Sequence, residues 1–395
     1  MKEAGIKELA ITGTPLIGEG NVVDNKALNS VLSKLGIQCV SIYPDGPFVW
    51  LARWFHVGLS MNTRKSIEYA LTSEATRSSL KVLPLKLELR RAIKKVYENY
   101  PHAISFMTSQ SIMAEESVGC IGDIPTFNVS SDVIGKFTDK SRLSDRQREI
   151  IYLVWNKEAL DLYKNKLKLK NVHLIIPVDP MEAFERTEGN TLQFHHALNN
   201  SKYCFVKLSG SGGDPELINP AIASLFKKSG ARSIVFPGTR KVQRKLITTA
   251  GEKVPVTAYL DTSLFYSLCR EMISGKQMLL TYPSEQVKHL AVLSQNNIFP
   301  NVVWLPPRGQ HEVMNLAWAI KKGFSGTVCI PELYHKKLGF ELINSGIRAS
   351  EFECVVPEKL SADHFRPSPK WEYETDSVPF ETIVRRLLND TMIKH

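Results

Sequence analysis

Several common signatures are missing from this chain of 395 residues. No stretch approaches the ~20 consecutive apolar residues that span a bilayer, and the opening MKEAGIKELAITG lacks the long apolar segment of a signal peptide. A cytoplasmic protein is therefore expected. The six cysteines (Cys39, Cys120, Cys204, Cys269, Cys329 and Cys354) are scattered, never at CxxC spacing, and most lie inside apolar, strand-like runs. That spacing disfavours disulfides and zinc and predicts buried free thiols. There is no GxxxxGK[ST] loop, which argues against a P-loop ATPase, and no complete GxGxxG. Neither a DxD-like pair nor a His-rich cluster is present, so no metal and no cofactor is expected. The His195-His196 pair has no third ligand at metal spacing and reads as structural.

A dense basic tract is also missing, although the formal charge is +10 and the pI near 9.2. Such a charge favours an anionic partner: a nucleic acid, an acidic membrane surface or a phosphorylated substrate. The Lys and Arg residues are spread along the whole chain, and no RRM- or OB-like combination of basic and aromatic residues occurs, so nucleic acid is not the expected partner.

What is present is regular alternation. At 395 residues, with 43% hydrophobic and 23% charged residues, two globular domains are the default. The run ELAIT (residues 8–12) enters a glycine-containing loop, then the helix-like NKALNSVLSKLG, then the β-branched IQCVSIYP. That order is a βαβ unit and implies a parallel sheet. The pattern continues with a helical region over 66–99, a strand over 103–107, REIIYLV, a helix over 157–166 and a strand over 172–176. It then breaks at PVDPMEAFERTEGN, which reads as a domain exit. It restarts at KYCFVKLS, with later strands over 277–281, 301–304 and 326–330 and an amphipathic C-terminal helix. The expected fold class is α/β, two Rossmann-like domains facing across a cleft. Residues 1–180 form the first, 181–200 a linker and 201–377 the second, while helix 378–395 packs back on the first.

The glycine-rich loop Ser209-Gly210-Ser211-Gly212-Gly213 lies between a predicted strand and a predicted helix, where a diphosphate is cradled by backbone N–H groups, hydroxyls and the helix N-terminus. Gly238 and Arg240 end the next strand, and Arg308, Gln310, His311 and Glu312 follow the strand 301–304. Both groups stand beyond carboxyl strand ends, where open α/β sheets bind ligands. Glu19 and Asp24, in or near the first βα loop, are the carboxylates best placed to act as a general base, with Asp132 and His102 as alternatives. In GPFVWLARWFHVG, Trp50, Trp54 and Phe55 stand beside Arg53 and His56. That combination either dips into an anionic membrane interface or covers the first sheet.

Three passages together resemble the GT-B glycosyltransferases, in particular the branch of diacylglycerol galactosyltransferases and the N-acetylglucosaminyltransferase of peptidoglycan synthesis. They are HAISFMTSQS with GDIPTFNVSSDV, the segment IIYLVWNKEALDLYKNKLKLKNVHLIIPVDPMEAF, and YCFVKLSGSGGDPELINPAIASLFKKSGARSIVFPGTRK. The resemblance implies metal-independent transfer of a sugar from a nucleotide diphosphate, UDP above all, to a hydroxyl acceptor such as a lipid or small molecule. On the same fold a UDP-sugar 2-epimerase or hydrolase is the alternative, and a non-catalytic nucleotide- or nucleic-acid-binding protein a further one. The first βα loop, TGTPLIGEGN, carries no histidine where that branch often has one. On the resemblance Gly18, Gly20 and Asn21 are acceptor-side residues, and Glu341, after Gly339 in LGFELINSGI, is the donor-binding glutamate, with Glu332 as its rival.

Overall fold

The computed structural model describes residues 8–13, 19–60, 62–71, 83–121, 124–130, 133, 144–183, 195–198, 202–208, 213–238, 240–250, 254, 256–259, 262–271, 276–298 and 300–392. Strands and helices alternate through the first half: β1 (Leu9–Gly13), α1 (Glu19–Lys34), β2 (Gln38–Ile42), α2 (Pro47–Ser60), α3 (Thr63–Leu71), α4 (Leu83–Asn99), β3 (Ser105–Thr108) and α5 (Ser111–Val118). Then come β4 (Thr126–Val129), α6 (Asp145–Glu149), β5 (Ile151–Val154), α7 (Lys157–Asp161), β6 (Val172–Ile176) and the short α8 (His195–Leu198). The second half carries β7 (Tyr203–Lys207), α9 (Pro215–Ser229), β8 (Arg232–Phe236), α10 (Arg240–Ala250), β9 (Val256–Ala258), α11 (Thr262–Glu271), β10 (Met278–Thr281), α12 (Gln286–Gln295) and β11 (Asn301–Trp304). It ends with α13 (Gln310–Lys321), β12 (Thr327–Cys329), α14 (His335–Asn344), β13 (Glu353–Val355), β14 (Arg366–Pro367), β15 (Val378–Pro379) and α15 (Phe380–Met392).

The strands form two sheets. The first has seven strands in the order β15-β6-β5-β4-β3-β1-β2, all parallel, and the second has the order β13-β12-β11-β10-β7-β8-β9, also parallel, with β14 added antiparallel to β11. Helices cover both faces of each sheet, so central strands such as β1 and β3 are buried along their whole length. These are the two Rossmann-like domains expected from the sequence. The C-terminal segment does return: β15 pairs with β6, and Phe380, Ile383, Val384 and Leu388 of α15 join the core that holds Ala10, Leu28 and Phe127 of the first sheet.

Local chemistry explains the element ends. Helix α9 starts at an N-cap Asp214, whose carboxylate accepts from the Glu216 N–H, has Pro215 in its first turn, and stops at Gly230, which holds φ +66°. The helical region expected over 66–99 is two helices, α3 ending at Leu71 and α4 starting at Leu83, with 72–82 outside the described residues. All six cysteines are free thiols, three of them buried and three half-buried. No helix among the described residues is long and apolar enough to cross a membrane.

Close packing at β12 gives a direct test of the second sheet. A Cβ on Gly326 would stand 2.0 Å from the Glu351 carbonyl oxygen, backbone against backbone, with no side chain free to swing away. Gly326→Ala is expected to cost about 2–3 kcal/mol, read as a lower urea midpoint. An unchanged midpoint would show that β12 and β13 are not held at this spacing.

Candidate active site

Both sheets reverse their strand order at one point. In the first the chain lays β2 on one side of β1 and then crosses to β3 on the other side, and in the second it moves from β7 to β8 and β9 before crossing to β10. In open α/β sheets ligands bind outside the carboxyl ends of the strands at such reversals, because the connecting loops diverge there and leave a crevice. The two crevices face each other. Helix α1, which follows β1, meets α12, which follows β10, through Asp24, Lys288 and His289.

This contact is a buried polar chain. Lys288 Nζ lies 2.6 Å from Asp24 Oδ2, His289 Nε2 lies 2.9 Å from Asp24 Oδ1, and His289 Nδ1 lies 2.7 Å from the Tyr266 hydroxyl on α11. Gln286 Nε2 donates to the same hydroxyl at 3.4 Å. The Lys288 and Asp24 side chains are only 5% and 9% exposed. Burial on its own would raise the Asp24 pKa, but the Lys288 and His289 charges and hydrogen bonds outweigh it and bring the carboxyl down to about 2. Burial drives the Tyr266 hydroxyl well above its ordinary range, so it stays protonated and acts as a donor or acceptor only.

Around this chain a void of about 20 Å³, room for one water, is lined by Asp24, Asn25, Ser109, Ser130 and Lys288. Ser109 follows β3, and Ser284 and Glu285 follow β10. The Ser109 Oγ, Ser284 Oγ and Glu285 Oε1 atoms are buried, with no hydrogen-bond partner among the described residues. Such atoms also occur elsewhere among the described residues, as at Asn219, Ser233 and Gln295; Ser109 stands at the first strand-order reversal, and Ser284 and Glu285 at the second.

The sequence-based candidates separate clearly. Asp24 is at the junction. Glu19, Gly20 and Asn21 open α1, Gly18 lies outside the described residues, and so does Asp132. His102 precedes β3, on the amino edge of the first sheet, and its ring meets Tyr100 edge-on at 6.4 Å. It is therefore turned away from the crevice, which removes it as a base. Ser209, Gly210, Ser211 and Gly212 lie outside the described residues. Gly213, beside them, is buried where a Cβ would come within 3.0 Å of the Tyr282 hydroxyl. The N-terminus of α9 beyond that loop is already capped by Asp214 and carries Glu216 in its first turn. Gly238, with φ +72°, leads into α10, whose first turn carries no acid and opens with the exposed Arg240 and Lys241.

Arg308 and Glu312 belong to one internal unit. The Glu312 carboxylate accepts from the Arg308 N–H at 2.7 Å and from its guanidinium at 3.1 Å, while that guanidinium stacks 3.9 Å over the Tyr282 ring. Together they shape the turn that enters α13, after β11. Gln310 and His311 are exposed and half-exposed at the start of α13. Glu341 lies inside α14, two residues after Gly339, which packs against the Phe352 ring. Glu332, directly after β12, is exposed in a single 3-10 turn. His195 and His196 open the four-residue α8.

Sequence reasoning missed Lys288, His289, Tyr266 and Ser284. The available signal was TYPSEQVKHL, a strand end followed by Ser, Glu and a Lys-His pair in one helical turn.

Two Rossmann-like domains with opposed carboxyl edges and a C-terminal helix returned to the first define the GT-B class of fold. Among solved structures, the chain is similar to the Methanocaldococcus jannaschii UDP-GlcNAc 2-epimerase determined with UDP-GlcNAc and UDP, with a TM-score of 0.53 and 10% identity over 97% of this chain and 99% of the other. It is similar to the UDP-N-acetylglucosamine 2-epimerase from Rickettsia bellii, with a TM-score of 0.51 and 9% identity over 98% of each chain. It is also similar to TcCGT1 in complex with UDP, with a TM-score of 0.51 and 12% identity over 88% and 92% of the two chains. No protein-family profile and no curated protein sequence matches the chain.

Proposed function

We propose that this chain is a glycosyltransferase that moves a sugar from a UDP-sugar to a hydroxyl acceptor, with the donor against the second domain. The observation that carries the reading is the pairing of two strand-order reversals across one junction, with unsatisfied Ser109, Ser284 and Glu285 atoms on both sides of it. The UDP complexes of the similarly folded structures support the nucleotide. Transfer requires that charge developing on the leaving diphosphate be neutralised. Lys288 at the junction and the acid-free N-terminus of α10, with Arg240 and Lys241, are suited to that task. With a pKa near 2, Asp24 is a feeble proton acceptor, so its role is to hold Lys288 and orient His289. Glu19, one turn earlier on α1, takes the general-base role in this reading.

A second reading, epimerisation at the sugar of UDP-GlcNAc, is favoured by the similarity to two 2-epimerases. Incubating the protein with UDP-GlcNAc alone separates the two: a new UDP-sugar isomer supports epimerisation, and unchanged donor supports transfer.

The donor site has its own test. UDP at about a hundred times its dissociation constant should add about 2.7 kcal/mol of stability, visible as a raised thermal midpoint. Ser284→Ala removes a hydroxyl without an internal partner, so the apo midpoint should hold while the UDP shift shrinks. A midpoint unmoved by UDP, GDP, TDP and CMP alike would end both enzyme readings.

A further inference from the structure

The exposed apolar side chains are concentrated in two stripes. On α2, Trp50 and Trp54 are each 63% exposed and Leu51 49%, at the spacing of one helical face, with Tyr43 and Phe48 close by in the chain and Leu87 on the adjoining α4. On the second domain, Leu333, Phe340 and Ile343 form an exposed stripe along α14 and the turn before it. Helix α3 packs against both α2 and α14, so the stripes flank one helix although they come from different domains.

The α2 stripe is rigidly presented. The Glu88 carboxylate of α4 accepts from the Phe48 and Val49 N–H groups and so caps α2, and a Cβ on Gly46 would stand 2.6–2.7 Å from that carboxylate. An apolar face held in place by a neighbouring helix, and still left in water, marks an interaction surface.

Charge decides the partner. Arg53 on α2, Lys65 on α3, Arg91, Lys94 and Lys95 on α4, and Lys336 and Lys337 on α14 are all exposed, against the exposed acids Asp45, Glu98 and Glu332 in the same region. On α4, Leu87, Arg91 and Lys94 share one face at i, i+4 and i+7. On α14, Lys336 and Lys337 lie one turn before Phe340. Tryptophan and large aliphatics interleaved with lysine and arginine are the composition of surfaces that lie in the headgroup layer, where indole rings seat and cations meet anionic lipid.

We propose that the α2 and α14 stripes, one from each domain, together form a docking face for an anionic lipid bilayer. Docking does not depend on the sugar-transfer reading, because the assay below contains no nucleotide. The full chain should co-sediment with vesicles of equal phosphatidylcholine and phosphatidylglycerol, bind phosphatidylcholine vesicles far less, and dissociate as salt is raised. Its tryptophan emission should be quenched by acyl chains brominated near the headgroup. The pair Trp50→Ser and Trp54→Ser and the pair Phe340→Ser and Ile343→Ser should each lower vesicle binding about tenfold or more, and Lys336→Glu with Lys337→Glu should do likewise. These side chains are exposed, so an unchanged thermal midpoint confirms folding in every variant. Undiminished vesicle binding in the tryptophan pair would overturn the proposal. So would undiminished binding in the α14 pair, or dimerisation without lipid that the same substitutions abolish.

Discussion

Replacing Lys288 with methionine should destabilise the protein by about 3–5 kcal/mol, the usual consequence of leaving one member of a buried ion pair without its partner. The substitution preserves most of the side-chain volume and removes the ammonium 2.6 Å from Asp24 Oδ2. Among the described residues Asp24 then keeps His289 alone, and burial, the largest influence on its pKa, is no longer outweighed by the lysine. Asp24→Asn strands the lysine in the same way. Combining Asp24→Asn with Lys288→Met removes both charges, so the double variant should lose less than the sum of the two; strictly additive losses in urea unfolding would show that the two side chains are not paired. The pair also has a pH signature. The folded pKa of Asp24, about 2, lies below that of an unfolded aspartate, near 3.9. Its contribution is therefore complete above about pH 4 and is lost as the pH falls through about 2. Asp24→Asn should flatten the stability profile in that window and nowhere above it.

The same junction shows what a sequence can and cannot display. Parallel sheets announce themselves because every strand is buried on both faces and each crossover is a helix of regular period. The strand at 301–304 is therefore legible to the residue, and the return of the C-terminal helix follows from its amphipathic pattern. Strand order is not local. That β10 lies beside β7, with β9 at the far edge, depends on which crossover packs best over the whole sheet, and only this order sets residues 282–289 at a strand-order reversal. Asp24 could be singled out because the first βα connection follows a carboxyl strand end for either strand order. Arg308 and Glu312 stand at a carboxyl strand end as read, yet their four-residue spacing on a helix start lets them satisfy each other. His102 precedes the strand in the sequence reading and in the structure alike, which sets it at the amino edge, opposite the crevice.

Trp318 joins the two domains, and its removal tests whether the proposed donor binding needs them to separate. The void lined by Asp24, Asn25, Ser109, Ser130 and Lys288 is about 20 Å³, and a second cavity of about 260 Å³ lies beside it between Val31 and Lys34 of α1 and Val292 and Gln295 of α12. Trp318 on α13, 3% exposed, packs against Trp155 of the first domain at 5.0 Å, and Trp155 also meets Trp371 at 5.6 Å. Its indole N–H donates at 3.0 Å to Glu158 on α7, which Lys322 also contacts at 3.0 Å. One residue therefore supplies an apolar plug and a hydrogen bond across the same seam, with Asn315 Oδ1 accepting from the Val133 N–H beside it. Trp318→Ala should cost about 3–5 kcal/mol, and Trp318→Phe, which keeps the ring but loses the N–H, about 1–2 kcal/mol. Because most of the lost contact lies between the domains, thermal unfolding of the alanine variant should divide into two transitions. Binding should move the other way. If the closed seam suppresses the competent open state, weakening it raises the open fraction and lowers the apparent UDP dissociation constant. Isothermal titration decides: weaker UDP binding in Trp318→Ala would mean that the donor site is completed by closure of the seam rather than hidden by it.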